Sequence, residues 1–298
     1  MKKILNIILL FTITIFGCVL LNLSFWSETS TEGQLRQPLT YDEIFHGSGP
    51  SVFFLPHQDD EMHMAGAIKA NIEMGRKVYV VMVTDGGASQ VRNALNHENY
   101  TLKKIIVSLA GSGKPYAGKY LDRQSFSAAR NREFLDSMEK LGVPRSHIFF
   151  ANPGGVDGSD HPQFLDGQLT KAAAKIVIEF YLKRLGDGSY GTVAATGLIN
   201  LHQSDHKALS DALAEVPNIS QKYFFSEKLG VGTKVPLSAL QLEKKYMALR
   251  SYFDWDPTAG RYAIAALSVK SMLQAREAGQ GEYYLTKSQL PRQKRLTP

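Results

Sequence analysis

Two apolar, β-branched-rich runs, Ser51–Leu55 (SVFFL) and residues 77–84 (KVYVVMVT), bracket a segment in which Met62, Ala65, Ile68 and Ile72 recur at helical spacing. Strands without polar alternation are buried on both faces, and a strand–helix–strand succession joins parallel neighbours. This unit restricts the chain to an open α/β sheet. The pattern recurs downstream, with helical periodicity over 128–141, an apolar HIFF at 147–150, a long helical stretch over 169–185 and GTVAAT at 191–196. The predicted fold class is α/β: a Rossmann-like, open, mostly parallel sheet with helices on both faces. Residues 237–278 read as mostly helical. Residues 88–127, rich in Gly, Asn, Lys and Tyr without steady periodicity, read as an excursion across the mouth of the sheet, with some helix over 102–109.

With 298 residues, 44% hydrophobic and 21% charged, the chain has the composition of a globular protein and is long enough for a sizeable core. Residues 4–23 are nearly uncharged behind Lys2 and Lys3, the length a helix needs to span a bilayer. The expected organisation is a membrane anchor over 1–24, a polar stalk over 25–49 and a functional body over 50–298. Positive residues stay on the cytoplasmic side, which places the body outside the cytoplasm, periplasmic or extracellular. A cleaved signal peptide is disfavoured by the length of the run and the lack of a small-residue site after it. Residues 15–18 (IFGC) loosely resemble a lipoprotein processing site, and a lipid on Cys18 would tether the body equally well. Cys18 is the sole cysteine, so an intrachain disulfide and a thiolate metal cluster are both impossible. The formal charge of +6 is too diffuse for a nucleic-acid partner, and nothing specifies the oligomeric state.

The first strand empties into PHQDDE, residues 56–61. An acid here would cap the following helix. Capping uses one acid, however, and leaves the second acid and His57 unexplained. A histidine and a carboxylate three residues apart in a turn can reach one zinc ion. A second cluster, NLHQSDHKAL at 200–209, follows the strand over 191–196 and opens another helix, so the topology brings it to the same sheet edge. Its bland reading is Ser204 or Asp205 as a cap, with His202 and His206 on the surface. Three protein ligands with an open fourth position are the pattern of a catalytic zinc. His63, one helical turn beyond the acids, reads as a packed or surface histidine, and TDGG at 84–87 as a tight strand exit.

These stretches resemble the PIG-L/LmbE-like zinc-dependent N-acetylglucosaminyl deacetylases. The likeness runs through LPHQDDEMHMAGAIKANIEMGRKVYVVMVTDGGAS (55–89), ARNREFLDSMEKLGV (129–143) and SDHKAL (204–209), with a fainter echo in MALRSYF (247–253). The resemblance implies metal ligands at His57, Asp60 and His206 and a general base at Asp59, with His202 and Asp205 completing the catalytic set. It implies substrate contacts at Arg130 and Asp157, and Zn²⁺ as cofactor, though His/carboxylate sites also take iron, manganese or cobalt. The implied reaction is removal of the N-acetyl group from an amino sugar or an N-acetylglucosamine-containing glycan. Two departures stand out. Gln58 replaces the family's proline, which is expected to loosen the turn. The first histidine of a His-x-x-His pair would fall on Gln203, whereas this chain has His202. A membrane-tethered glycan-binding module with a metal site but little catalysis, or a zinc amidase acting on another amide, are the alternatives.

Overall fold

The computed structural model describes residues 39–96, 119–152, 162, 164–196 and 201–290, with residues 201–203 described as helix backbone only. The body spanning Leu39–Pro298 is one compact unit. The anchor over 1–24, Asp157 and the helix expected over 102–109 lie outside the described residues. Among the described residues, no helix is long and apolar enough to cross a membrane.

Strands β1 (Ser51–Leu55), β2 (Val78–Met82), β3 (Ile148–Phe150), β4 (Ser189–Ala194) and β5 (Gln221–Ser226) pair in parallel in the order β3-β2-β1-β4-β5. The sheet continues with two antiparallel strands, β9 (Gly281–Leu285) and then β6 (Thr233–Pro236). Chain order runs outward from β1 to β3 on one side and from β4 to β5 on the other. The switch point lies between β1 and β4, where open α/β sheets bind ligands at the carboxyl ends of their strands.

Successive side chains of a strand point to opposite faces, and β1 shows the result. Phe53 and Leu55 enter one core with Ile68, Phe134 and Met138, while Val52 and Phe54 enter the other with Ile178, Leu209 and Leu213. Helices α2 (Ala65–Glu73) and α4 (Arg123–Leu141) cover the first face; α5 (Lys171–Leu185) and α6 (Leu201–Glu215) cover the second. A third apolar cluster gathers α3 (Gln90–Leu95), α7 (Ala239–Ser251), a two-stranded ribbon, β7 (Trp255–Asp256) and β8 (Arg261–Tyr262), and α8 (Ile264–Ala278) near the site. Caps fix several boundaries: Asp122 accepts from Ser125 N at 2.7 Å, and Ser238 forms a reciprocal box with Gln241. Helix α4 ends where Gly142 turns to φ 89°.

Four differences from the sequence expectation have physical causes. Residues assigned to the stalk carry a short helix, α1 (Tyr41–Ile44), and Tyr41, Ile44 and Phe45 are buried in the core. Helix α6 starts at Leu201 rather than at Ser204 or Asp205, so neither residue is its cap. Strands β6 and β9 are of mixed polarity, which left no periodicity to read. The turn after β1 is tied down rather than loosened at Gln58. That side chain is buried, with Nε2 donating to Asn131 Oδ1 at 2.9 Å and to Asp85 O at 3.1 Å, and the Gln58 carbonyl accepts from the Tyr252 hydroxyl.

Candidate metal centre

Leaving β1, the chain makes a 3₁₀ turn over Asp60–His63 before α2 begins. In that turn Asp60 Oδ2 accepts the backbone N–H of His57 at 2.8 Å, locking carboxylate and imidazole into one unit. Helix α6 delivers His206 from the neighbouring strand. His57 Nδ1 lies 3.2 Å from Asp60 Oδ2 and 3.2 Å from His206 Nε2, and His206 Nε2 lies 3.2 Å from Asp60 Oδ2. Three donor atoms thus form a nearly equilateral triangle. Ligands about 2.0 Å from a tetrahedral ion stand roughly 3.3 Å apart, so the triangle has the size of one face of a zinc coordination tetrahedron.

Further carboxylates hold these ligands. His57 Nε2 faces Asp205 Oδ2 at 3.2 Å and Asp166 Oδ1 at 3.1 Å. Asp205 is itself immobilised by the backbone N–H groups of Gly167 (2.7 Å) and Leu169 (3.0 Å). On the other ligand, His206 Nδ1 lies 3.6 Å from Glu227 Oε2, while Glu227 Oε1 accepts from Thr196 N at 3.0 Å. Carboxylates behind ligating imidazoles fix ring orientation and raise ligand basicity.

Charge reinforces the fit. Asp59, Asp60, Asp166, Asp205 and Glu227 are all buried around this point, and Arg130 pairs with Asp59. Burial would depress the His57 imidazole, but Asp166, Asp205 and Asp60 outweigh it and hold it well above its usual range. Burial would raise the Asp60 carboxyl, yet His206 and His57 keep it well below. Surroundings this electronegative favour a cation at the ligand triangle, and a divalent metal satisfies that demand without protonating the imidazoles.

Asp59 is placed differently from its neighbour. Its Oδ1 is 3.2 Å from Arg130 Nη2, and Arg130 Nη1 donates to Gly86 O at 2.9 Å. Burial raises the Asp59 carboxyl, Arg130 opposes this and Asp60 adds to it, for a net rise. Gly86 has φ 61°, and a Cβ there would collide with Gln58 Oε1 and Arg130 Nη1; the strand-exit turn needs glycine at this position.

The triangle opens into a cavity of about 510 Å³, within the range of small-ligand sites. Asp59 and Arg130 are among its polar lining residues, and Val91, Leu267, Val269 and Met272 among its apolar ones. The structure therefore brings together His57, Asp59, Asp60, Arg130, Asp205 and His206. His202 sits on the first turn of α6, where only the backbone is described, and Asp157 lies outside the described residues. Sequence reasoning missed Asp166 and Glu227, which occupy loops without a recognisable spacing; His63, read as a packed or surface histidine, is packed and also lines the cavity.

A comparison with curated proteins returned no match. Among solved structures, the chain is similar to a deacetylase triple mutant involved in the teicoplanin biosynthetic pathway, at 16% identity over 79% of this chain and 94% of that one, with a TM-score of 0.50. It is also similar to N,N'-diacetylchitobiose deacetylase from Pyrococcus horikoshii, at 18% identity over 80% of this chain and 83% of that one, with a TM-score of 0.45. The first of these likenesses shows a shared fold. The family model described as PIG-L: GlcNAc-PI de-N-acetylase matches residues 52–216, a span running from β1 through α6, and the chain belongs to that family.

Proposed function

We propose that this protein is a metal-dependent N-deacetylase that hydrolyses the acetamide of an amino sugar or an N-acetylglucosamine-containing glycan. The observation that carries the reading is the ligand triangle with Asp59 beside it, buried and bonded to Arg130 instead of to the ligands. His57 Nδ1, Asp60 Oδ2 and His206 Nε2 would hold a divalent ion, which when bound would supply Lewis acidity to an amide carbonyl and lower the pKa of water. Asp59 takes a proton from the attacking water as oxygen adds to the acyl carbon, then returns it to the amine as the C–N bond breaks, giving acetate and a free amine. Arg130 orients Asp59 and opposes the rise that burial imposes on its carboxyl. Asp205 and Asp166 hold His57, and Glu227 holds His206, so the ligand atoms keep their aim through turnover.

Support for the acetamide as the bond cut comes from family membership together with this arrangement. We further infer that the apolar run 4–23 tethers the body to a membrane with the body outside the cytoplasm, a reading supported by the length of the run and the lysines before it.

The test is Asp59→Asn. The variant should keep its metal content and lose acetate release from N-acetylglucosamine oligomers by about 10²- to 10⁴-fold, the usual worth of a general base. Undiminished turnover would remove Asp59 from the reaction, and a wild-type protein that binds these oligomers without releasing acetate would favour a glycan-binding module.

A further inference from the structure

The TDGG stretch after β2 does more than end the strand. Asp85 is buried there, and its Oδ1 accepts the backbone N–H groups of Gly87 at 3.0 Å and Asp166 at 2.9 Å. Arg123, the first residue of α4, grips the same carboxylate as a fork, Nη2 donating to Oδ1 at 2.8 Å and Nε to Oδ2 at 2.5 Å. A bidentate pair of this kind fixes the plane of the carboxylate. Gly87 makes room for it: a Cβ there would stand 2.6 Å from Arg123 Cγ and 2.7 Å from Arg123 Nε. Main-chain pairing joins the same two segments, Asp85 N donating to Phe164 O at 2.9 Å. Asp166 is thereby set with one oxygen toward each neighbour. Its Oδ2 accepts from Ala88 N at 3.1 Å, and its Oδ1 lies 3.1 Å from His57 Nε2.

We propose that the Arg123–Asp85 pair is a positioning element for the metal centre, acting through Asp166 on the ligand His57. An imidazole that ligates through Nδ1 carries its hydrogen on Nε2, and the acceptor of that hydrogen sets the direction of the ring. Asp205 and Asp166 share this task but are held differently. Asp205 rides on α6, whereas Asp166 sits in a loop whose N–H is pinned by Asp85. Without the Asp85 carboxylate that N–H loses its acceptor, and Asp166 is free to turn its Oδ1 away from His57. Among the described residues that line the cavity, neither Asp85 nor Arg123 appears, so the pair reaches the centre only by way of Asp166.

The inference rests on the metal reading above, and a double-mutant cycle separates the two. Zinc affinity of the full chain is measured by competition with a chromophoric chelator for wild type, Asp85→Ala, Asp166→Ala and the double variant, each with its fold verified by circular dichroism. Asp166→Ala should bind about 10- to 100-fold more weakly, the usual worth of a carboxylate behind a ligand. Asp85→Ala should bind about 3- to 10-fold more weakly, the worth of one lost hydrogen bond. Because Asp85 acts through Asp166, the double variant should fall within about twofold of Asp166→Ala, whereas independent structural damage would multiply. Equal affinities for wild type and either single variant, or a double variant weaker than that limit, would overturn the positioning role alone. A wild type with no zinc affinity would overturn the metal reading and this inference with it. Should Asp85→Ala fail to fold, Arg123→Met, at a side chain that reaches solvent, takes its place in the cycle. A loss that disappears in the Asp166→Ala background is then expected, and no loss, or the same loss in both backgrounds, overturns the role.

Discussion

The Nδ1 of His57 lies 3.2 Å from the Nε2 of His206 although 149 residues separate them in the chain. Parallel pairing of β1 with β4, in register from Ser51 opposite Ser189 to Phe54 opposite Thr192, makes this possible. Both chains leave the sheet at the same edge and at the point where the winding direction changes. The two rings meet because neighbouring strands end together, and the Asp60 carboxylate closes the triangle from the turn that His57 begins.

Arg130 sets the protonation of the proposed base. Its guanidinium, 3.2 Å from Asp59, opposes the rise that burial imposes on that carboxyl. Replacing it by Met should raise the Asp59 pKa further, and because the base acts only when ionised, the acidic limb of the pH–kcat profile should move to higher pH. An unmoved limb would mean that another group controls it.

A buried ion pair supports the helix that follows the site. Glu282 accepts from Gly66 N at 2.7 Å and Ala67 N at 3.0 Å, capping α2 from a distant strand, and Lys245 Nζ stands 3.1 Å away. The Tyr41 hydroxyl completes the cluster. Glu282→Gln leaves Lys245 uncompensated in a fully buried setting and should cost about 3 to 5 kcal/mol in urea denaturation. A loss below about 1 kcal/mol would show that the cluster tolerates an unpaired cation.

Stability should also carry the signature of Glu61. Burial lifts this carboxyl from 4.5 to about 8, against the opposing bonds from Ser137 and Tyr252. With the folded pKa above the unfolded one, its stabilising contribution is complete below about pH 4.5 and is lost as pH rises through about 8. In metal-free protein, Glu61→Gln should flatten the decline of unfolding free energy across that window, by an amount on the order of a few kcal/mol. Parallel curves for the two proteins would assign the decline to other groups.

Much of this was legible in the sequence because it lies in local pattern. The limits of β1 coincide with an apolar run, and β2, β3, α4 and α5 follow from periodicity, since buried parallel strands and two-faced helices leave a strong imprint. His57, Asp60 and His206 stood out as paired clusters at strand ends. Other features depend on the tertiary arrangement. Strand β5 (QKYFFS) begins with half-exposed polar residues, and β9 finds its partners only across the sheet. Asp166 is placed by its own N–H donating to Asp85 Oδ1 at 2.9 Å and by Ala88 N donating to its Oδ2 at 3.1 Å. No spacing along the chain encodes those contacts. Gln58 shows the same limit in reverse: substitution of a turn proline suggested looseness, and the partners that tighten the turn lie 26 to 194 residues away.

The central claim is that His57, Asp60 and His206 share one divalent ion. Elemental analysis of the purified protein alongside His57→Ala and His206→Ala, each with its fold verified by circular dichroism, tests it most directly. The account predicts about one equivalent of a divalent metal in the wild type and its loss from both variants. A full equivalent retained in either folded variant would contradict it.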